Sequence, residues 1–274
     1  MRLPEFIAFL LISCALRAEE IDKPLEIELI SEVGTICAGK PFFLGLHLKH
    51  PPGTHTYWKN PGIVGISTSI EWELPLGFHA GEIQWPAPKV VKMGGHDAQG
   101  YEGETLLMIP ITPPAEIAGA SVKITAKASW MCCGIGCHPA TNIPFAITLP
   151  VGDITATDSA SRLLFKKFRS QIPKAESSWK EISAKREGGK IIVTLDPVFR
   201  QPDPFLDPAN IRFFTADGQV NSERKQEVSM TAQGVIVMTL DASETAPKLS
   251  KSLPGVVVIP TGKTPRLIEV DPLY

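Results

Sequence analysis

Beyond its N-terminus this 274-residue chain has no long apolar run. No later stretch approaches the ~18 consecutive apolar residues of a membrane helix, so no helical span is expected in the body of the protein. Charge of one sign is also missing. Lys and Arg number 27 against 29 Asp and Glu, a net charge of −2. That balance gives no basic field for nucleic acid and no acidic solvating tail. Cysteine disappears after Cys137 and histidine after His138. The back half therefore lacks the side chains that most often carry redox, metal and proton chemistry, and any such chemistry is expected in the front half. Helix-breaking residues, by contrast, are plentiful, with 25 Pro and 22 Gly. Short strands and turns are the expectation for such a composition.

The first twenty residues, MRLPEFIAFLLISCALRAEE, hold one arginine, an apolar core from Phe6 to Ile12, small residues and then charge. This reads as a secretory signal peptide over residues 1–18, with Ala15 or Ala18 before the cut. A second reading is a lipoprotein signal ending before Cys14, since Leu11-Ile12-Ser13-Cys14 has the form of a lipobox. In both readings the chain is exported and periplasmic, and lipid-anchored in the second.

From Leu25 to Leu149 the apolar residues recur with period two. Leu44, Leu46 and Leu48 alternate with other residues, as do Ile70, Trp72 and Leu74. Val122, Ile124, Ala126, Ala128 and Trp130 follow, then Ile143, Phe145, Ile147 and Leu149. Each set predicts a strand with one buried face, and turn signals such as Pro51-Pro52-Gly53 and Asn60-Pro61-Gly62 separate them. The expected fold class is all-β, an immunoglobulin-like β-sandwich over residues 19–152. Residues 153–178 are expected to form a helical connector. Within them Leu164, Phe165, Phe168 and Ile172 make a helical stripe, with Thr157 or Asp158 as N-cap and Pro173 as the stop. Strand patterns resume over 179–274 as a second, smaller β domain. There Ile191, Val193 and Leu195 alternate, as do Val235, Val237 and Thr239, and Val256 to Ile259 form a short apolar run.

With Cys14 assigned to the export signal, Cys37, Cys132, Cys133 and Cys137 remain, and four cysteines allow three complete pairings. Four residues of extended chain span about 13 Å, whereas a disulfide needs Cα atoms roughly 4.4–6.8 Å apart. A Cys133–Cys137 bond thus requires the backbone to double back, and Gly134 and Gly136 offer the positive-φ freedom for it. In the register of Val122 to Trp130, Cys132 points to the core and Cys133 away from it. The expectation is a structural Cys37–Cys132 bridge and an exposed Cys133–Cys137 ring, worth only about 2 kcal/mol by chain entropy and open to an external thiolate. Alternatives stay open: Cys132–Cys137 with Cys133 free, inert disulfides throughout, or a soft-metal site of Cys132, Cys133, Cys137 and His138. Thiolate and imidazole suit zinc or cuprous copper. Against the metal, adjacent cysteines point apart on a strand and the CxxC knuckle is absent.

Four strings in order, GTHTYWKNPG (53–62), QWPAPK (84–89), GYEGETLLMIPI (100–111) and ASWMCCGIGCHPA (128–140), resemble the N-terminal periplasmic domain of DsbD-type, ScsB-like thiol:disulfide interchange proteins. Trp130, Cys133, Cys137 and Pro139 fall on that family's Trp, CxxxC and Pro positions. The resemblance covers residues 22–150, and 153–274 are similar to the continuation of ScsB-like chains. It implies that Cys133 and Cys137 are the catalytic pair of an oxidoreductase-type electron carrier that needs no cofactor and no metal. The implied partners are a thioredoxin-like periplasmic protein and a separate membrane electron-transfer protein, since neither a membrane nor a thioredoxin-like part occurs up to Tyr274. A cap loop is implied near Lys92–Gly103, with Met93, His96 and Tyr101 as covering candidates and His138 beside the pair. Cys37 and Cys132 lie outside the family pattern. The alternative function is a non-catalytic binding module on the same fold, holding a protein partner or a soft metal such as copper.

Overall fold

The computed structural model describes residues 25–153, 159–247, 250–262 and 264–274. The expected export signal, with Cys14, and the two N-cap candidates Thr157 and Asp158 lie outside them. The front part contains β1 (Glu26–Ser31), β2 (Phe42–Lys49), β3 (His55–Tyr57), β4 (Ser69–Glu73), β5 (His79–Ala80), β6 (Lys89–Met93), β7 (His96–Glu102), β8 (Glu104–Thr112), β9 (Ser121–Cys133) and β10 (Cys137–Pro150). They form two facing antiparallel sheets. The first runs β1-β2-β8-β5; the second runs β10-β9-β3-β7-β6, with β4 also on β9.

The alternation read from the sequence is the packing. Leu44, Ile109 and Ile111 of the first sheet meet Val122, Ile124 and Leu149 of the second at one end of the sandwich. Leu46, Leu48 and Leu107 meet Trp58, Ala128, Trp130 and Cys132 at the other. The first sheet also has an apolar outer face, and α1 (Ser159–Arg169) covers it. Phe165 and Phe168, with Leu164 and Ile172 beside them, pack on Leu106 and Met108, so the helical stripe sits as its spacing predicted. Gly45 lies beneath this helix; a Cβ there would stand 3.1 Å from Phe165 Cζ.

The remaining strands are β11 (Trp179–Glu187), β12 (Lys190–Pro197), β13 (Arg212–Thr215), β14 (Glu227–Met230), β15 (Ile236–Asp241), β16 (Gly255–Ile259) and β17 (Arg266–Val270). They build a third sheet, β11-β12-β15-β14, and a fourth, β13-β16-β17. Strands β13 and β16 of the fourth sheet are buried on both faces. Phe213, Val257 and Ile268 face the third sheet, while Phe214 and Val256 join the Trp58–Trp130 core of the front sandwich. Double burial explains why these strands read as continuous apolar runs without alternation. In β15 the expected phase was off by one residue. The buried set is Ile236, Met238 and Leu240, and Val237 and Thr239 are half-buried. An apolar run does not fix which alternate residues turn inward.

Candidate functional site

The cysteine cluster closes the end of β9 and the start of β10, where Cys137 pairs with Cys133 across the ladder. Directly opposed residues share a face, and the two sulfurs form a disulfide with Cα atoms 4.1 Å apart. Gly134, Ile135 and Gly136 make the turn, with Gly134 N–H donating to Gly136 O at 2.8 Å. Neither of these glycines takes a positive φ, contrary to expectation. Gly134 is required for space instead: a Cβ there would approach Thr54 Cγ2 at 3.1 Å and Gly53 O at 3.2 Å.

Cys37 and Cys132 are not bonded to each other; both are free and buried. Strand geometry forbids the expected bridge. Ile36 bridges to Val151, beside Ala120 at the start of β9, while Cys132 is near that strand's far end. At about 3.3 Å per residue, the eleven steps from Ser121 to Cys132 span roughly 35 Å. The register placed Cys132 on the inner face correctly, but opposite faces do not mean one buried and one exposed. Cys133 is 0% exposed, packed on the outer face of the second sheet among Tyr57, Val91, Ala98, Val64, Met93 and Met131. The exposed sulfur-bearing residue is Cys137, and Ile135 at the tip is 92% exposed.

The covering elements also differ from the expected cap. Val64 lies in the cluster over Cys133, and Gly65 lies flat against the Tyr57 ring, where any Cβ would overlap it. Cover therefore comes from the segment after Asn60-Pro61-Gly62. Met93 packs against the edge of this cluster. His96 turns away and pairs with Glu223 near the fourth sheet. Tyr101 is an inner-core residue whose hydroxyl donates to Pro86 O at 2.8 Å, and its burial raises its pKa well above the usual value. His138 is exposed and lines a cleft of about 600 Å³ with Leu25, Thr54, Trp130, Cys132, Cys133 and Ala140. Burial pushes the Cys132 thiol up, with a hydrogen bond from Thr54 opposing. Among the described residues no group of three or more His, Cys, Asp or Glu is arranged to hold a metal ion.

Two residues that sequence reasoning passed over stand beside the pair, both inside the quoted GTHTYWKNPG string. His55 is the cross-strand neighbour of Cys133, and its Nε2 lies 3.2 Å from Tyr57 Oη. The two rings meet edge to face. Burial lowers the pKa of His55, with Glu102 opposing, and raises that of Tyr57, with the Cys132 thiol adding to the rise. The signal for them is the two-residue spacing of His55 and Tyr57, which puts both on one face of a short strand.

Residues 29–148 match the family model described as thiol:disulfide interchange protein DsbD, N-terminal. The N-terminal periplasmic domain of ScsB from Proteus mirabilis superposes with a TM-score of 0.58 at 16% identity, over 87% of this chain and 91% of that one, a likeness of fold. A collagen adhesin (CNA) from S. aureus covers 91% of this chain at 7% identity, but its TM-score of 0.18 carries no weight. Comparison with curated protein sequences gives no match.

Proposed function

We propose that this chain, whose residues 29–148 form a domain of the DsbD N-terminal family, is an exported thiol:disulfide interchange protein that passes reducing equivalents through Cys133 and Cys137 to or from a thioredoxin-like periplasmic partner. The observation that carries the reading is the asymmetry of the bond: it closes an exposed hairpin tip at Cys137 and is buried at Cys133. In one direction a partner thiolate attacks Cys137 Sγ. The disulfide breaks, Cys133 leaves with the electron pair and takes up a proton, and a second partner thiolate then displaces Cys137. The partner dithiol is oxidised to a disulfide and the Cys133–Cys137 pair is reduced to two thiols. The reverse sequence delivers electrons instead. The exposed apolar tip and the adjoining cleft give a partner apolar surface to cover.

The reading includes a division of labour. Residues 19–152 form the redox domain and 153–178 a connector whose helix covers the first sheet. Residues 179–274 form a second β-sandwich-like domain that braces the front one. The experiment mixes the oxidised chain with reduced thioredoxin and counts thiols on each protein. Two thiols gained by the wild type, and none by a Cys133→Ser/Cys137→Ser variant, is the expected result. No gain in the wild type, with tight uptake of cuprous ion by the chemically reduced protein, would replace the exchange reading by that of a binding module.

A further inference from the structure

Cys133, His55 and Glu102 occupy one row across three adjacent strands. His55 of β3 is opposed to Cys133 of β9 on one side and to Glu102 of β7 on the other. Opposed residues point to the same face of a sheet, with Cβ atoms about 4.5–5.5 Å apart. The register therefore places His55 between a cysteine and a glutamate on one face of the sheet, an order that matches a nucleophile, its base and an orienting acid.

We infer that His55 is the general base that activates Cys133 when it resolves a mixed disulfide at Cys137. The inference rests on the exchange reading above and assigns a proton path to it. The need for such a group follows from burial. Cys133 is 0% exposed and sits among Tyr57, Val91, Ala98 and Val64, so water is a poor acceptor for its proton and a bare thiolate there is disfavoured. His55 is itself 2% exposed. Tyr57 Oη lies 3.2 Å from its Nε2. With the phenol oxygen accepting the Nε2 proton, Nδ1 keeps a lone pair. Burial holds the imidazole neutral to lower pH than usual, which is the form a base requires.

The step balances as follows. Cys137 of the reduced pair has attacked a partner disulfide, and its Sγ is bonded to the partner sulfur. Cys133 Sγ–H gives its proton to His55. The resulting thiolate attacks Cys137 Sγ, the bond between Cys137 and the partner sulfur breaks, and the partner sulfur leaves with the electron pair. The imidazolium then releases its proton to that thiolate or to solvent. Two electrons have moved from the pair to the partner. Glu102, opposite, favours the transient imidazolium. The other titratable groups near His55 are Tyr57 on its own strand and His50 just before β3.

The test uses the full chain, reduced, with glutathione disulfide as the oxidant, acid quench and intact mass to follow the glutathione adduct. A Cys132→Ser background removes the neighbouring thiol. In the wild type the rate of adduct loss is expected to level off above the pKa of His55, read separately by NMR. In His55→Gln the rate should fall about 100-fold near pH 6, the scale of one general base. It should climb with pH as Cys133 ionises unaided, so the deficit closes at alkaline pH, and added imidazole should restore part of it. A wild-type rate that rises continuously with thiol ionisation overturns the proposal without any variant. So does a His55→Gln deficit of the same size at every pH. A reduced wild type that glutathione disulfide does not oxidise back to the Cys133–Cys137 disulfide overturns the exchange reading itself, and this proposal with it.

Discussion

Below neutral pH the front sandwich should lose stability through its buried histidines, His50 foremost. His50 is buried between the turn after β7 and strand β3; its Nδ1 lies 2.7 Å from Gly103 O and its Nε2 2.9 Å from Thr56 Oγ1. A carbonyl only accepts, so Nδ1 carries a proton; in the neutral ring that burial favours, Nε2 accepts from the Thr56 hydroxyl. Desolvation is the main reason its pKa falls from 6.5 to about 4; the bond to Gly103 opposes, and His55 adds to the fall. A depressed folded-state pKa leaves stability whole above 6.5 and removes it as pH falls toward 4, because the unfolded chain takes the proton first. At pH 4.5 the loss is RT ln of the ratio of binding polynomials, or about 2.5 kcal/mol from this one site. Carboxylates titrate over the same range, so a difference of differences isolates it. Urea unfolding of wild type and His50→Asn is measured near pH 7.5 and pH 4.5. The variant is expected to start less stable, having lost the Thr56 partner, and to lose about 2.5 kcal/mol less on acidification. Equal losses in both proteins, or an NMR titration of His50 above pH 6, would refute the reasoning.

Other perturbations read other parts of the structure. Gly100 faces β3 so closely that a Cβ would overlap Thr56 O, so Gly100→Ala should displace β3, destabilise the chain by roughly 1–3 kcal/mol, and speed reduction of the disulfide by dithiothreitol. Phe165→Ala removes a fully buried ring from between α1 and the first sheet; a loss of about 3–5 kcal/mol in denaturant unfolding is expected. Cys37 and Cys132 are free but buried, so iodoacetamide should leave both unmodified in the native chain and label both in urea, as read by mass. Asn142, at the bulge in β10, takes a φ of 55°; Asn142→Gly should be neutral or slightly stabilising in the same unfolding assay, because glycine meets no Cβ cost there.

The front strands were legible where apolar side chains alternate with smaller or polar ones, the condition under which period two appears. Leu44, Leu46 and Leu48, and Val122 through Trp130, are the clearest cases. The α1 stripe was legible for the same reason at helical period. Runs of adjacent apolar residues were not: Ile236 and Val237 are both apolar, and only the neighbouring sheets decide which turns further inward. The cysteines show a second limit. Local register favoured the Cys133–Cys137 pairing but left Cys132–Cys137 open until the β9–β10 ladder settled it. Excluding Cys37–Cys132 needed the position of Ile36 against Val151, a contact 115 residues apart in sequence. The burial of Cys133 needed the fold of residues 61–67 over Tyr57, which no spacing within the cluster announces.

The cover over the pair also depends on the back half of the chain. Asn60 Nδ2 donates to Thr215 O at 2.8 Å, and the buried Gln99 amide donates to both Asn60 O and Thr215 O. These bonds tie the start of the covering segment and strand β7 to the end of β13. His96, at the tip of β6–β7, pairs with Glu223. Phe214 and Val256 lie in the same apolar cluster as Trp58 and Trp130. Removing the third and fourth sheets would therefore expose apolar surface on the front sandwich and free the backbone from which Val64 reaches Cys133. The protection of the buried sulfur is thus a property of all four sheets, even though both sulfurs belong to one hairpin. A chain cut after residue 178 is therefore expected to leave Cys133 less well covered, read as faster reduction of its disulfide by dithiothreitol than in the full chain.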